Sequence, residues 1–264
     1  MARVIAITNQ KGGVGKTTTS VNLAASLAAT KRRILMIDLD PQGNATMGSG
    51  INKAEVECTA YELLTKKASF DEVLQRSEAG AYDLIPSNGD LVAAEVELLN
   101  EIGREHRLRI ALNTVRQRYD FILIDCPPSL NMLTVNALSA ADGVIIPMQC
   151  EYYALEGLAA LMSTVEQIKE TINPDLSISG ILRTMYDPRN SLTKDVSAEL
   201  EDYFGDLVYK VAIPRNVRLA EAPSHGLPVL HYDKASKGAI AYLALAGEIV
   251  RKTKAENKKV LAEV

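Results

Sequence analysis

Lys11-Gly12-Gly13-Val14-Gly15-Lys16-Thr17-Thr18 closely follows a short apolar run, Val4-Ile5-Ala6-Ile7, and opens a stretch rich in Ala and Leu at helical spacing. A strand, a glycine-rich turn and a helix in that order read as a phosphate loop. Small residues let consecutive backbone N–H groups close around phosphate oxygens. A lysine then places its charge on the terminal phosphates, and the adjacent hydroxyl ligates Mg²⁺. The positive end of the helix dipole faces the same pocket. Gly15-Lys16-Thr17 fits the tail of the G-x-x-x-x-G-K-[ST] pattern, but its leading glycine slot holds Gln10. A second lysine, Lys11, opens the loop. A loop that already has its phosphate lysine needs another only if that one reaches a different nucleotide.

Outward from this loop, short apolar runs alternate with helical patterns. Strands are expected at 3–8, 34–39, 82–86, 121–125, 143–148, 176–185 and 207–213. Helices are expected at 17–30, 91–103, 105–118, 155–171, 192–203 and 237–254. Continuous apolar strands separated by helices make a parallel sheet covered on both faces. The expected fold is therefore α/β, a doubly wound, mostly parallel sheet in a single domain over residues 1–250, with a polar tail at 251–264 in which 252–259 reads as frayed helix. Residues 48–80 are the least regular and read as a surface insertion.

Composition narrows the function classes. The 264 residues are 47% hydrophobic and 23% charged, which are ordinary globular values. The net charge of −4 argues against nucleic-acid binding over the whole surface. The charge is uneven, however: residues 183–264 carry +2 and the rest −6, so a nucleic-acid contact is expected as a patch in the C-terminal third. Cys58, Cys126 and Cys150 are far apart with no C-x-x-C pair, which disfavours a disulfide framework, a zinc site or an iron–sulfur scaffold. With no signal peptide and no run long enough to span a bilayer, a cytoplasmic protein is expected.

Two acidic strand ends complete the chemistry. Met36-Ile37-Asp38-Leu39-Asp40-Pro41-Gln42-Gly43-Asn44 places carboxylates where parallel α/β sheets hold their ligands, followed by a Pro/Gly-forced loop. Phe121-Ile122-Leu123-Ile124-Asp125 ends a second apolar run in an acid that can hold Mg²⁺, before the stiff turn Cys126-Pro127-Pro128-Ser129. No base is placed by sequence to activate Cys126, which reads as a buried filler.

The Lys11–Thr18 loop is a deviant Walker A motif, and the chain resembles the ParA/Soj branch of the ParA–MinD ATPases over nearly its whole length. Other stretches that carry the resemblance are 36–46, 121–129, 149–157 and 213–226. The resemblance implies ATP and Mg²⁺ as cofactors and an ATP-dependent homodimer. It also implies nonspecific double-stranded DNA and a ParB-like protein as partners, and a nucleoid-associated location without a membrane. It implies that Lys11 crosses the dimer interface to the partner's ATP. Asp40 would orient the attacking water, Asp38 would lie near the metal's water shell, and Thr17 and Asp125 would serve the metal. Gly12, Gly13, Val14, Gly15, Lys16 and Thr18 would line the phosphates. The turn Pro214-Arg215-Asn216, together with Met185, would close over the adenine. Arg189 and Arg218 match positions that bind DNA without sequence preference, and Lys210, Arg215, Lys234 and Lys237 could widen the patch. With no arginine finger in the sequence, turnover is expected to be slow alone and to depend on dimerisation. Because the loop begins at Lys11, the helix-turn-helix extension of some plasmid members is not expected.

Two other readings compete, a MinD-like ATPase and a metabolic enzyme on the same scaffold, either an electron carrier or a ligase. A MinD-like membrane-cycling ATPase would end in an amphipathic lipid-docking helix, whereas residues 251–261 are basic with no aromatic and few apolar positions. A nitrogenase-reductase-like carrier would need a cysteine pair at a dimer axis, and an ATP-dependent ligase would need a substrate pocket that the sequence does not reveal.

Overall fold

Among the described residues seven strands form one sheet: β1 (Arg3–Ile7), β2 (Ile34–Asp38), β3 (Gln75–Ser77), β4 (Tyr82–Ile85), β5 (Phe121–Asp125), β6 (Gly143–Gln149) and β7 (Ser177–Thr184). The structure is a computed structural model that describes residues 2–152 and 154–262, the last six of these by backbone alone. Tyr153, within the 149–157 stretch, and residues 263–264 of the expected tail lie outside the described residues. The strand order is β3-β4-β2-β5-β1-β6-β7, and every pairing is parallel except β3 with β4.

Along each central strand the side chains alternate between two cores. Val4 and Ala6, Leu35 and Ile37, and Ile122 and Ile124 face one core. It is closed by α3 (Ala60–Leu64), α4 (Phe70–Val73), α5 (Leu91–Leu98), α6 (Arg107–Asn113), α7 (Met132–Ala140) and α8 (Ala154–Thr171). Ile5 and Ile7, Ile34 and Met36, and Phe121 and Leu123 face the other core, packed on α1 (Lys16–Ala29) and α12 (Lys237–Ala262). Apolar residues on both sides explain why these strands read as unbroken runs. Burying one such Ile, Leu or Phe side chain contributes about 1.5–3 kcal/mol. Four further helices, α2 (Asn44–Gly48), α9 (Ser191–Phe204), α10 (Val217–Glu221) and α11 (Val229–Tyr232), lie in the connections.

Three segments depart from the sequence reading. Residues 48–80 are not a surface insertion. Ala60, Leu64 and Val73 are fully buried there, and β3 extends the sheet antiparallel to β4. Residues 207–213 are not a strand either. They make one bridge, Ile181 with Val208, and the N–H groups of Lys210 and Val211 then donate to the Glu248 carboxylate of α12, at 2.9 and 3.1 Å. With those donors taken by a side chain, no ladder forms. Finally, α12 runs past the expected helix end at 254, to Ala262. No helix among the described residues is long and apolar enough to cross a membrane.

Candidate functional site

The parallel register brings three strand ends together. Ile7 of β1 and Asp38 of β2 both pair with Asp125 of β5, so the loop after β1 lies beside two carboxylates. Gly13 and Gly15 take φ of 74° and 90°, a left-handed region open to glycine at little cost. Side chains outside the motif strap the loop down. Asn9 Nδ2 donates to the Pro147 carbonyl at 2.8 Å, and its Oδ1 accepts from the Lys11 N–H at 2.9 Å. Thr184 Oγ1 donates to the Val14 carbonyl at 2.8 Å and Gln149 Nε2 to that of Gly13 at 3.3 Å. Sequence reasoning missed Asn9, Thr184 and the role of Gln149, because each reaches the loop only once the sheet is assembled.

Lys16 is buried, and its Nζ donates to the Lys11 carbonyl at 3.1 Å, folding back over the loop. Burial lowers its pKa, and the charges of Asp125 and Asp40 oppose that shift. Asp125 is fully buried; Ser20 Oγ donates to its Oδ1 at 2.8 Å, and the Thr17 side chain also bonds to the carboxylate. Its Oδ2 is buried with no partner. Desolvation, then the negative charge of Asp38, push the Asp125 carboxyl well above the usual carboxylate range. A buried carboxylate oxygen without a donor, next to a threonine hydroxyl and a buried lysine, fits a Mg²⁺-bound phosphate group.

Asp38 ends β2 beside Asp125 and is bonded on both oxygens to the segment that follows it. Its Oδ2 accepts from both Thr46 N and Thr46 Oγ1 at 2.8 Å, and its Oδ1 accepts from Asp40 N at 3.1 Å. Both oxygens therefore clamp the 40–46 segment to the end of β2. Asp40 begins that segment: its Oδ1 accepts from Gln42 N at 3.0 Å, and its carbonyl accepts from Ser87 Oγ at 2.8 Å. Gly43 then turns at φ 62°, where an added Cβ would sit 2.6 Å from the Ser87 carbonyl oxygen. Only glycine fits there without a shift.

Lys11 lies at the rim, where its Nζ donates to Glu151 Oε2 of the same chain at 2.6 Å, both side chains about half exposed. Cys126 is buried, and burial pushes its thiol up, so it is no nucleophile at neutral pH. Met185 and Pro214 are brought together by the Tyr186–Pro214 bridge and by Tyr186 N donating to the Ile213 carbonyl at 2.9 Å. Gln149, Met185 and Arg215 line a cleft of about 200 Å³, and Asn216 Oδ1 is buried without a partner. The two expected DNA arginines are on the surface and paired in cis. Arg189, 88% exposed, holds Asp187 with two bonds at 2.9 and 2.8 Å and pulls its carboxyl down to about 2. Arg218 bonds Glu221 at 2.7 Å and meets Asp233 at 3.3 Å. Lys210, Arg215, Lys234 and Lys237 are exposed. Among the described residues no group of three His, Cys, Asp or Glu is placed to hold a metal alone.

Residues 2–178 match a family model described as an AAA domain. The chain is 55% identical to the sporulation initiation inhibitor protein Soj of Bacillus subtilis (strain 168), over 94% of this chain and 98% of that one. It is 51% identical to the chromosome partitioning protein ParA of Myxococcus xanthus (strain DK1622), over 96% of this chain and 89% of that one. A solved structure of a cobyrinic acid a,c-diamide synthase from Mycobacterium smegmatis with bound ADP and magnesium matches with a TM-score of 0.84. The two are 38% identical over 96% of each chain.

Proposed function

Because the chain belongs to the ParA/Soj family of P-loop ATPases, we propose that it is a DNA-partitioning ATPase that cycles between an ATP-bound dimer on DNA and a released monomer. It hydrolyses ATP and uses Mg²⁺. In the proposed cycle, ATP closes two subunits into a sandwich that binds nonspecific double-stranded DNA, and a ParB-like protein stimulates hydrolysis and resets it. The cycle belongs to a cytoplasmic, nucleoid-associated protein. The observation that carries this reading is the extent of the kinship, above half identity to Soj and to ParA along almost all of each chain.

In this reading Lys16 holds the terminal phosphates, Thr17 and Asp125 hold the metal, and Gly12 to Gly15 with Thr18 supply the backbone cradle. When bound, Mg²⁺ supplies charge neutralisation on the phosphates. Asp125 enters with an oxygen free for that duty, and Asp38 positions the 40–46 segment that carries Asp40. Asp40 orients the attacking water. Lys11 must leave Glu151 to reach a partner's nucleotide, and an exposed pair of that kind is worth only about 0–1 kcal/mol. The same holds for Arg189 and Arg218, whose surface pairs exchange cheaply for DNA phosphates. Met185, Pro214, Arg215 and Asn216 enclose the adenine.

The test is retention on random-sequence duplex DNA with ATP, ADP or no nucleotide, at low and moderate salt. Binding that needs ATP and weakens with salt is expected. No binding in any state would leave an ATPase whose arginines are ordinary surface charge.

A further inference from the structure

A second cleft, of about 340 Å³, opens where β2, β4 and β5 begin, at the edge of the sheet opposite the phosphate loop. Four guanidiniums line it: Arg32, Arg33, Arg76 and Arg118. Three carboxylates face them, and every one of their oxygens is engaged. Asp120 accepts from Arg33 N at 2.8 Å and from the Arg33 guanidinium at 3.2 Å. Asp83 accepts from Arg76 on one oxygen at 2.8 Å and from the Tyr119 hydroxyl on the other at 2.9 Å. Asp71 is held on both oxygens by Arg118. Arg32 is near enough to Asp120 for its charge to lower that carboxyl, yet it makes no hydrogen bond or ion pair among the described residues, and its Nε is buried. A buried donor with no acceptor is costly, and here it sits in a cleft with one more positive than negative charge.

We propose that this cleft is a phosphate-binding site separate from the nucleotide pocket. A tetrahedral oxyanion can take the Arg32 Nε–H on one oxygen. Its other oxygens can accept from N–H groups that Arg33, Arg76 and Arg118 do not use on their aspartates. Guanidinium forks match phosphate geometry, and charge-assisted bonds of this kind are among the strongest in proteins. The phosphate comes from a small phosphorylated molecule or from a nucleic-acid backbone; the chemistry at Arg32 is the same.

Isothermal titration of inorganic phosphate tests the site, using whole protein whose nucleotide pocket is filled with Mg²⁺ and a non-hydrolysable ATP analogue, at constant ionic strength. Saturable binding to the wild type is expected, weakened about tenfold or more by Arg32→Gln, as expected for loss of a charge-assisted contact. Arg76→Gln, a half-exposed position, is a second variant expected to weaken it. ATP hydrolysis unchanged in Arg32→Gln would show that the fold and the nucleotide pocket survive. Displacement of phosphate by random duplex would assign the site to nucleic acid, and no displacement to a small molecule; both support it. No saturable binding to the wild type, or equal affinity in the wild type and Arg32→Gln, would overturn it.

Discussion

Asp125 shows what burying a carboxyl costs a fold. Its carboxyl rises from 3.8 to about 8, first because it is desolvated and then because Asp38 lies beside it. A raised acid pKa means that the folded state binds the proton more tightly than the unfolded one. The resulting stability is fully present below 3.8 and is lost as pH rises toward 8. Asp125→Asn removes the charge and keeps the shape. In the nucleotide-free protein it is expected to add roughly 1–3 kcal/mol near pH 8.5 and little near pH 5, with hydrolysis abolished. Thermal unfolding at the two pH values and a phosphate-release assay check both halves; a variant no more stable at high pH would contradict the burial argument. The two lysines of the loop are expected to separate by the same logic. Lys16 is buried among loop carbonyl and carboxylates, so Lys16→Ala should lose nucleotide binding. Lys11 stands at the rim in an exposed pair, so Lys11→Ala should shift stability by no more than about 1 kcal/mol and keep nucleotide affinity while losing turnover. Fluorescent-nucleotide titration beside a turnover assay distinguishes them, and equal loss of affinity in both variants would refute the division.

Among the elements, the short segment from Asp40 through α2 depends most on one side chain. Thr46 Oγ1 donates to Asp38 Oδ2 at 2.8 Å and accepts from Ser87 N at 2.9 Å, tying three segments together inside the protein. Thr46→Val keeps the volume and removes both bonds, which leaves a buried N–H without an acceptor. It is expected to cost about 2 kcal/mol, or a melting temperature lower by roughly 4–8 °C, and to slow turnover by loosening Asp40. An unchanged melting curve would mean that water replaces the hydroxyl. Nothing in the sequence pointed to Thr46, since its partners lie 8 and 41 positions away. The same limit explains which elements were legible. Strands buried on both faces announce themselves by unbroken apolar runs, and β1, β2 and β5 fall close to where those runs lie. Residues 48–80 hide theirs in short pieces, although Thr59 with Glu62 and Ser69 with Glu72 form capping boxes that a closer reading would have taken as helix starts. Residues 207–213 look like a strand by composition, but Glu248 takes the N–H groups a ladder needs, a fact of tertiary structure alone. In the site, the phosphate loop and the acids at two strand ends were readable because local spacing sets them. The bonds of Lys11 to Glu151 and of Arg189 to Asp187 show the difference. The second spans two residues and the first spans 140, and only folding discloses the first.

For the whole molecule the separate steps of the proposed cycle should come apart by substitution. Asp40 makes its bonds within its own loop and to Ser87, so Asp40→Ala leaves the loop, Lys16 and Asp125 in place. Such a chain is expected to bind ATP, close into the dimer and stay on duplex DNA without turning over. Arg218 is an exposed side chain bonded to Glu221 and Asp233, with no bond to the phosphate loop or to the Asp40 segment. Arg218→Glu places a third acid among those two, and like charges at that spacing repel both one another and a phosphate backbone. It is therefore expected to hydrolyse and dimerise as the wild type does while its DNA affinity falls, with a shallower dependence on salt because fewer phosphates are neutralised. The informative chain is the double variant Asp40→Ala with Arg218→Glu. If dimerisation and DNA binding are successive steps on separate surfaces, it is expected to run as an ATP-dependent dimer by light scattering and to pass through a DNA column unretained. A double variant that fails to dimerise would mean that the two surfaces are one. Retention equal to that of Asp40→Ala would remove Arg218 from the DNA contact and leave Arg189 and the neighbouring lysines to carry it.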